Sequence, residues 1–266
     1  MEAKVVLDAG HGGSDPGAVG NGLKEKDINL VETLACRDYL VANGVEVKMS
    51  RTGDTSTSIN RIAQEANAWG ADIVVSFHTN AGGGNGCEFY YGIGSDMSGS
   101  KGLAAYMEEE VKKLGQNSRG LKTKANSSGR DYFGIIRLTN MPTVISECAF
   151  IDNKTDIAIV DTKAEQQAYG YACARGILKY LGIPDKGLNG GKVEPKPTPS
   201  KPAVVDGLYL VRVSGEINIY DAPVKVTAKC PKGSYTIVEE KNGYGKLKSS
   251  TEKDPRWIDL SKVKKV

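Results

Sequence analysis

The chain predicts an α/β domain built on a mostly parallel sheet flanked by helices, joined to a small all-β barrel. Three observations in its 266 residues carry that reading. Over residues 1–183, short β-branched runs alternate with amphipathic helical patterns, the order that parallel strands with crossover helices require. Residues 184–203, "PDKGLNGGKVEPKPTPSKPA", begin with glycine and lysine and end with prolines at 195, 197, 199 and 202. Such a stretch cannot pack a core and acts as a semi-extended spacer. Residues 204–266 hold only short alternating runs separated by turn signals.

Taken in order, "KVVLDA" reads as the first strand. "DINLVETLACRDYLVANG" follows as a helix, with Ile28, Val31, Ala35 and Tyr39 on its apolar face and Gly44 as its stop. "VEVKMS" is a second strand and "TSINRIAQEANAWG" a second helix, again closed by glycine. "DIVVSFHTN" is a third strand, near-continuously apolar, as burial on both faces demands. "GCEFYYG" is a fourth strand, "KGLAAYMEEEVKKLG" a third helix, "TVISECAF" a late strand and "AEQQAYGYACARGILKYLG" the last helix. In the second domain "GLYLVRV", "INIY", "SYTIVEE", "YGKLKS" and "RWIDL" read as strands, and Asn242-Gly243 is a hairpin signal.

Composition narrows the function classes. Hydrophobic residues make up 39% and charged residues 25%, as in an ordinary globular protein, and no run reaches the roughly 18 apolar residues of a membrane span. The five cysteines (36, 87, 148, 173 and 230) are odd in number and scattered, with no C-x-x-C pair. That argues against a disulfide framework and a cysteine zinc site, and predicts buried free thiols. The net charge of +3 divides into −3 over residues 1–184, +2 over 185–202 and +4 over 203–266. The basic end suits a polyanionic surface and an ordinary solvated domain equally. Nothing indicates nucleic acid or membrane insertion.

The chain has two histidines, and both follow strands: His11 after "VVLDAG" and His78 after "DIVVSF". Ligands of α/β folds bind beyond the carboxyl ends of strands, so the pair points to a shared task. Two histidines, one carboxylate and an open position make the donor set of a catalytic zinc. Glu25 in "GLKEKDIN", on the return from the His11 loop, is the candidate third ligand. Glu147 ends the late strand among apolar residues, where a carboxylate is costly unless used; the alternative is a structural pairing with an arginine such as Arg137. Asn80 is a candidate for substrate binding or for fixing its loop, and Arg51 in "SRTGD" for tying carbonyls. The motifs H-E-x-x-H, G-x-x-x-x-G-K-[ST] and G-x-S-x-G are absent, which excludes the helix-borne metalloprotease, phosphate-loop and serine-hydrolase readings.

The segments "LDAGHGGSDPGA", "GLKEKDINL", "SRTGD", "INRIAQEAN", "SFHTNA" and "VISECAFIDN" resemble, in order, the signature blocks of the zinc-dependent N-acetylmuramoyl-L-alanine amidases. The resemblance covers residues 4–183. It implies that His11, Glu25 and His78 hold one Zn²⁺, that Glu147 is the catalytic carboxylate, and that the substrate is the amide between N-acetylmuramic acid and L-alanine in peptidoglycan. Phe77 and Thr79 depart from the residues common in that family, which affects packing more than ligation. Residues 119–139 resemble a short connection rather than a cleft-blocking insertion, so the cleft is expected to be open.

Residues 204–266 resemble a bacterial SH3-like wall-binding module, through "PKGSYTIVEEKNGYGKLKS" and "RWIDL" more than through "INIYDAP". Tyr209, Tyr220, Tyr235, Tyr244 and Trp257 are its aromatic candidates, for a binding face or for the core. Its expected partners are peptidoglycan and secondary wall polymers. No signal peptide is evident, since Val5 to Leu7 are too short for an apolar core. The expectation is a phage lysis enzyme made in the host cytoplasm and acting at the wall after release. The alternatives are an autolysin or spore-related amidase whose leader has been removed, another zinc hydrolase such as a peptidase or deacetylase acting on wall peptides, and an inactive wall-binding protein.

Overall fold

Apolar β-branched runs assemble the central sheet. In the computed structural model, which describes residues 2–188 and, as backbone alone, the strands within residues 209–265, the elements run in the expected order. They are β1 (Lys4–Ala9), β2 (Val19–Gly20), β3 (Leu23–Lys24), α1 (Glu25–Ala42), β4 (Glu46–Met49), α2 (Ile59–Trp69), β5 (Ile73–Asn80), β6 (Cys87–Tyr91), α3 (Ser100–Lys112), β7 (Ser118–Lys122), α4 (Gly134–Leu138), β8 (Thr143–Phe150), α5 (Lys154–Ile157) and α6 (Lys163–Leu181). The six-stranded sheet has the order β4-β1-β5-β8-β6-β7. Its β4, β1, β5 and β8 are parallel, while β6 runs antiparallel to β8 and β7 parallel to β6. This is the predicted mixed α/β architecture.

The side-chain period of two gives the sheet two different faces. Val5, Leu7, Val75, Phe77 and Cys148 face the large core beneath α1, α3 and α6. Val6, Val74 and Ile145 face a smaller core under α2 and α4. Farther along the same strands, that second face turns polar at Asp8, Ser76, His78 and Glu147. The two helices covering it are short, of 11 and 5 residues, and a cavity opens beside them.

Helix ends follow local chemistry. Ser58 accepts a hydrogen bond from the Arg61 amide and caps α2, and Thr162 with Glu165 forms a capping box on α6. The two helices stop at Gly70 and Gly182, both in the left-handed conformation. The expected face of α1 needs one correction. Val31 is only half-buried, and the buried stripe runs through Ile28, Glu32, Ala35, Cys36, Tyr39 and Leu40. Docking of α1 against α6 turns the helix so that a glutamate, not the valine, enters the core.

Residues 119–139 hold more structure than a connection: the edge strand β7 and the helix α4 lie within or across them. Cys36, Cys87, Cys148 and Cys173 are buried and free, as expected. Among the described residues no helix is long and apolar enough to cross a membrane.

The chain divides into two compact units between Lys196 and Pro197. The second unit contains β9 (Tyr209–Val213), β10 (Ile217–Ala222), β11 (Lys225–Cys230), β12 (Gly233–Lys241), β13 (Tyr244–Leu247), β14 (Trp257–Asp259) and β15 (Lys264–Lys265). They form a seven-stranded sheet of order β11-β10-β14-β13-β12-β9-β15 with antiparallel pairing throughout. Lys241 pairs with Tyr244, leaving the two residues Asn242 and Gly243 between β12 and β13. The side chains of Tyr209, Tyr220, Tyr235, Tyr244, Trp257 and Cys230 lie outside the described residues.

Candidate metal centre and catalytic cleft

Two strand ends and one helix start bring three potential ligands together. β1 ends at Ala9, and the chain turns at once through Gly10 to His11, whose φ of 63° is left-handed, a costly conformation for a residue with a side chain. Glu25 is the first residue of α1 and is buried. His78 lies near the end of β5. One ligand atom from each of His11, Glu25 and His78 lies within 4.8 Å of the other two. Glu25 Oε1 is 3.2 Å from His11 Nε2 and 2.9 Å from His78 Nδ1.

Neighbouring groups fix this geometry. His11 Nδ1 bonds Asp15 Oδ2 at 2.8 Å, so its other ring nitrogen is turned towards Glu25. The backbone amides of Thr79 and Ala18 donate to the two oxygens of Glu25, at 3.0 and 2.8 Å. Thr79 therefore does more than pack: its hydroxyl also donates to Asn29 Oδ1 at 2.9 Å. Arg51 is buried and ties the loop as expected, donating to the carbonyls of Ala9, Gly10, Gly53 and Lys26 at 2.7–3.1 Å. One guanidinium thus holds the residues beside both His11 and Glu25.

The donor set suits Zn²⁺, two imidazole nitrogens and a carboxylate oxygen being common catalytic ligands. The backbone is shaped around them. A Cβ at Gly10 would stand 2.3 Å from the His78 ring, and one at Gly17 would stand 2.6 Å from Glu25 Oε2 and 2.8 Å from the His11 ring. Neither position admits a side chain without displacing a ligand.

Glu147 lies on β8 opposite His78 of β5 and shares its face of the sheet. Both line a cavity of about 360 Å³ with Asp8, Ser76, Ile62 and Phe133. Arg137 is not its partner, because that guanidinium donates to the carbonyls of Asp131 and Tyr132. Asn80 is engaged within the protein: its amide nitrogen donates to Glu88 Oε2 at 3.1 Å, and its oxygen accepts from the Ala81 amide.

Proton affinities follow from these contacts. The hydrogen bond to Glu25, opposed by burial and reinforced by Asp15, raises His11 to about 9. Burial works against a charge on His78, yet its hydrogen bond to Glu25 and the nearby carboxylates hold it above the ordinary imidazole value. Burial likewise opposes ionisation of Glu25, but the hydrogen bonds from both histidines hold it well below the carboxylate range. Glu147 goes the other way. Burial lifts it to about 7, with His78 working against the rise and Glu25 and Glu88 adding to it.

Sequence reasoning passed over three groups. Asp15 sits in the quoted glycine loop, and its spacing of four from His11 was the available signal. Glu88 of β6 pairs in register with Glu147 and has no local signature. Glu32 is fully buried with neither oxygen hydrogen-bonded, on a helix face that the sequence reading had centred on Val31 instead.

Comparison with known proteins shows the family to which the chain belongs. Residues 5–179 match the profile of the N-acetylmuramoyl-L-alanine amidase family. The chain is similar to the N-acetylmuramoyl-L-alanine amidase CwlM of Bacillus licheniformis, 38% identical over 185 residues that cover 68% of this chain and 69% of that protein. It is similar to the endolysin of Bacillus phage SPP1, 37% identical over 215 residues that cover 77% of this chain and 76% of that protein. Among solved structures, the catalytic domain of CwlV, an N-acetylmuramoyl-L-alanine amidase from Bacillus (Paenibacillus) polymyxa var. colistinus, aligns with a TM-score of 0.62 at 31% identity, covering 68% of this chain and 99% of that one.

Proposed function

Since this chain belongs to the N-acetylmuramoyl-L-alanine amidase family, we propose that His11, Glu25 and His78 hold one Zn²⁺ beside Glu147 as the catalytic carboxylate. The reaction is hydrolysis of the amide between N-acetylmuramic acid and L-alanine in bacterial peptidoglycan. The observation that carries the assignment is the convergence of the three ligand atoms within 4.8 Å, on the cleft that Glu147 also lines.

A Zn²⁺ held there supplies Lewis acidity, polarising a carbonyl and lowering the pKa of water to about 7. The protein's part is proton transfer and positioning. With a proton affinity near neutrality, the Glu147 carboxylate takes a proton from the attacking water and delivers it to the amine that leaves, a role typically worth ~10²–10⁴-fold. Asp15, Thr79 and Arg51 hold the ligands in place before substrate arrives, so that little reorganisation remains for the reaction itself.

Digestion of purified walls tests this reading. It should release new L-alanine amino termini without new reducing ends, stop with a chelator and resume with Zn²⁺. New reducing ends, or cleavage indifferent to the chelator, would sink it. Glu147→Ala should keep its zinc while turnover falls by ~10²–10⁴-fold; loss of the metal would make Glu147 a ligand instead.

The C-terminal unit is read as an SH3-like module that carries the enzyme to the wall, and the whole chain as a lysis enzyme. The antiparallel sheet and the +4 charge of residues 203–266 support the first part. The similarity to the phage endolysin, which extends over more of this chain than the match to CwlM, supports the second. Residues 1–183 alone should sediment less with walls than the full chain, and equal sedimentation would remove the targeting role.

A further inference from the structure

The cleft is electrically lopsided. The cavity holding the metal ligands His11 and His78 is also lined by Asp8, Asp15 and Glu147, and its lining includes no lysine or arginine. On the other side of Glu147 the sheet continues through β6 to its edge at β7. Glu88 of β6 stands in register with Glu147 and its side chain is 3% exposed. It is covered by donors: Asn80 Nδ2 at 3.1 Å, Tyr90 Oη at 2.9 Å, and Arg119 Nε and Lys122 Nζ, both at 2.5 Å.

Burial opposes the charge of Glu88, but the hydrogen bonds from Lys122, Arg119 and Tyr90 prevail and hold its proton affinity below the usual glutamate value. One carboxylate therefore anchors two cations, and the cluster carries a net positive charge. With the carboxylate buried beneath them, Arg119 and Lys122 are what the protein surface presents at this point. Their side chains remain 41% and 30% exposed, which leaves donors for a ligand; an arginine offers five N–H groups and a lysine three.

The geometry points to Arg119 and Lys122 as the subsite that receives a carboxylate of the stem peptide, borne by the residue after the L-alanine; the assignment rests on the amidase reading. Neighbouring strands lie about 4.8 Å apart, so β7 is roughly 10 Å from β8 and Glu147. An extended peptide advances about 3.3 Å per residue, and a long cationic side chain on β7 reaches back over β6. A carboxylate one residue beyond the scissile amide falls within that reach. In the opposite direction the cavity wall offers the same anion no lysine or arginine side chain. The anionic peptide arm thus runs over β6 towards β7, and the muramic acid lies on the cavity side.

Two muramoyl peptides, both capped as the methylamide at the γ-carboxyl of the last residue, test this: muramoyl-L-alanyl-D-glutamate, with its α-carboxylate free, and muramoyl-L-alanyl-D-isoglutamine, with that α-carboxyl amidated. The full zinc-loaded chain should show a KM about tenfold lower for the free acid, the scale of one charge-assisted hydrogen bond. Lys122→Gln or Arg119→Gln should shrink the KM ratio of the two substrates to within about twofold, and Lys122→Arg should restore it. A ratio near one in the unaltered protein would overturn the proposal. So would variants that raise both KM values equally, since a merely structural role for the cluster predicts that result. Equilibrium binding of the γ-methylamides of L-alanyl-D-glutamate and L-alanyl-D-isoglutamine reads the same contact without turnover. Failure to hydrolyse either muramoyl peptide, with the binding preference intact, would count against the amidase reading alone.

Discussion

Replacing Glu32 by methionine should stabilise the protein, and increasingly so as the pH rises. Glu32 lies on the buried face of α1, fully inaccessible, with neither carboxyl oxygen hydrogen-bonded. The backbone of α6 closes over it: a Cβ at Gly170 would stand 2.2 Å from the Glu32 carbonyl oxygen. Burial pushes its proton affinity well above the glutamate value; the Cys148 thiol works against this, and the charges of Glu147 and Glu25 add to it. A buried polar group without a partner costs about 1–3 kcal/mol, and methionine fills a similar volume with no such need. There is a second contribution. The folded chain keeps the Glu32 proton at pH values where the unfolded chain releases it, so folding stability is fully present below the unfolded value and falls as pH rises towards the folded one. The loss is about 1.4 kcal/mol for each pH unit in that window. Urea and thermal unfolding of the full chain at pH 5, 6, 7 and 8 measure both parts. Glu32→Met should gain about 2–12 °C at pH 5, taking ~2–4 °C per kcal/mol for a domain of this size, and the gap should widen at each higher pH. Glu32→Gln, neutral at every pH but still unpaired, should share the flatter pH profile and show less of the gain. A gap that stays constant with pH, or a variant less stable than the parent, would refute the reasoning.

Other perturbations act on the metal centre. Gly10→Ala places a methyl 2.3 Å from the His78 ring, so the chain should purify with far less than one zinc per molecule after dialysis against trace metal; full occupancy would show that the ring can yield. Asp15→Asn should weaken zinc about 10–100-fold, the usual effect of removing a group that orients a ligand, as read by competition with a chromophoric chelator. An unchanged affinity would mean that His11 needs no such support. Arg51→Lys cannot reach the four carbonyls that the guanidinium spans. It should lower both zinc affinity and thermal stability, the latter by about 1.5–3 kcal/mol, and calorimetry showing no change in either would remove Arg51 from its positioning role.

Much of the candidate site was legible because its parts lie at ends of periodic segments. The apolar runs "VVLDA" and "DIVVSF" each stop at a polar loop, and a parallel strand delivers whatever follows it to the same edge of the sheet. That placed His11 and His78 as neighbours before any contact was known. Glu147 was legible for the opposite reason, as a charge where the strand pattern asks for an apolar residue. Asp15 escaped notice, and Thr79 was read only as a packing residue, because their roles depend on which way a left-handed histidine and a strand amide point. Glu88, Arg119 and Lys122 escaped because β6 inserts beside β8 in the antiparallel sense, bringing β7 to the edge by pairings that no local spacing encodes.

By itself the sequence determined the alternation of strands and helices, the glycine stops, the free buried thiols and the three residues whose ligand atoms converge. These are local or periodic properties, written into neighbouring residues by backbone sterics and by the periods of two and 3.6. Only the tertiary structure decided the rest: the order of the six strands, the face on which the cleft opens, the rotation of α1 that buries Glu32 in place of Val31, and the meeting of Glu88 with Arg119 and Lys122 beside Glu147. Each depends on side chains far apart in the chain competing for one packed volume, where shape and partner rather than periodicity select the outcome.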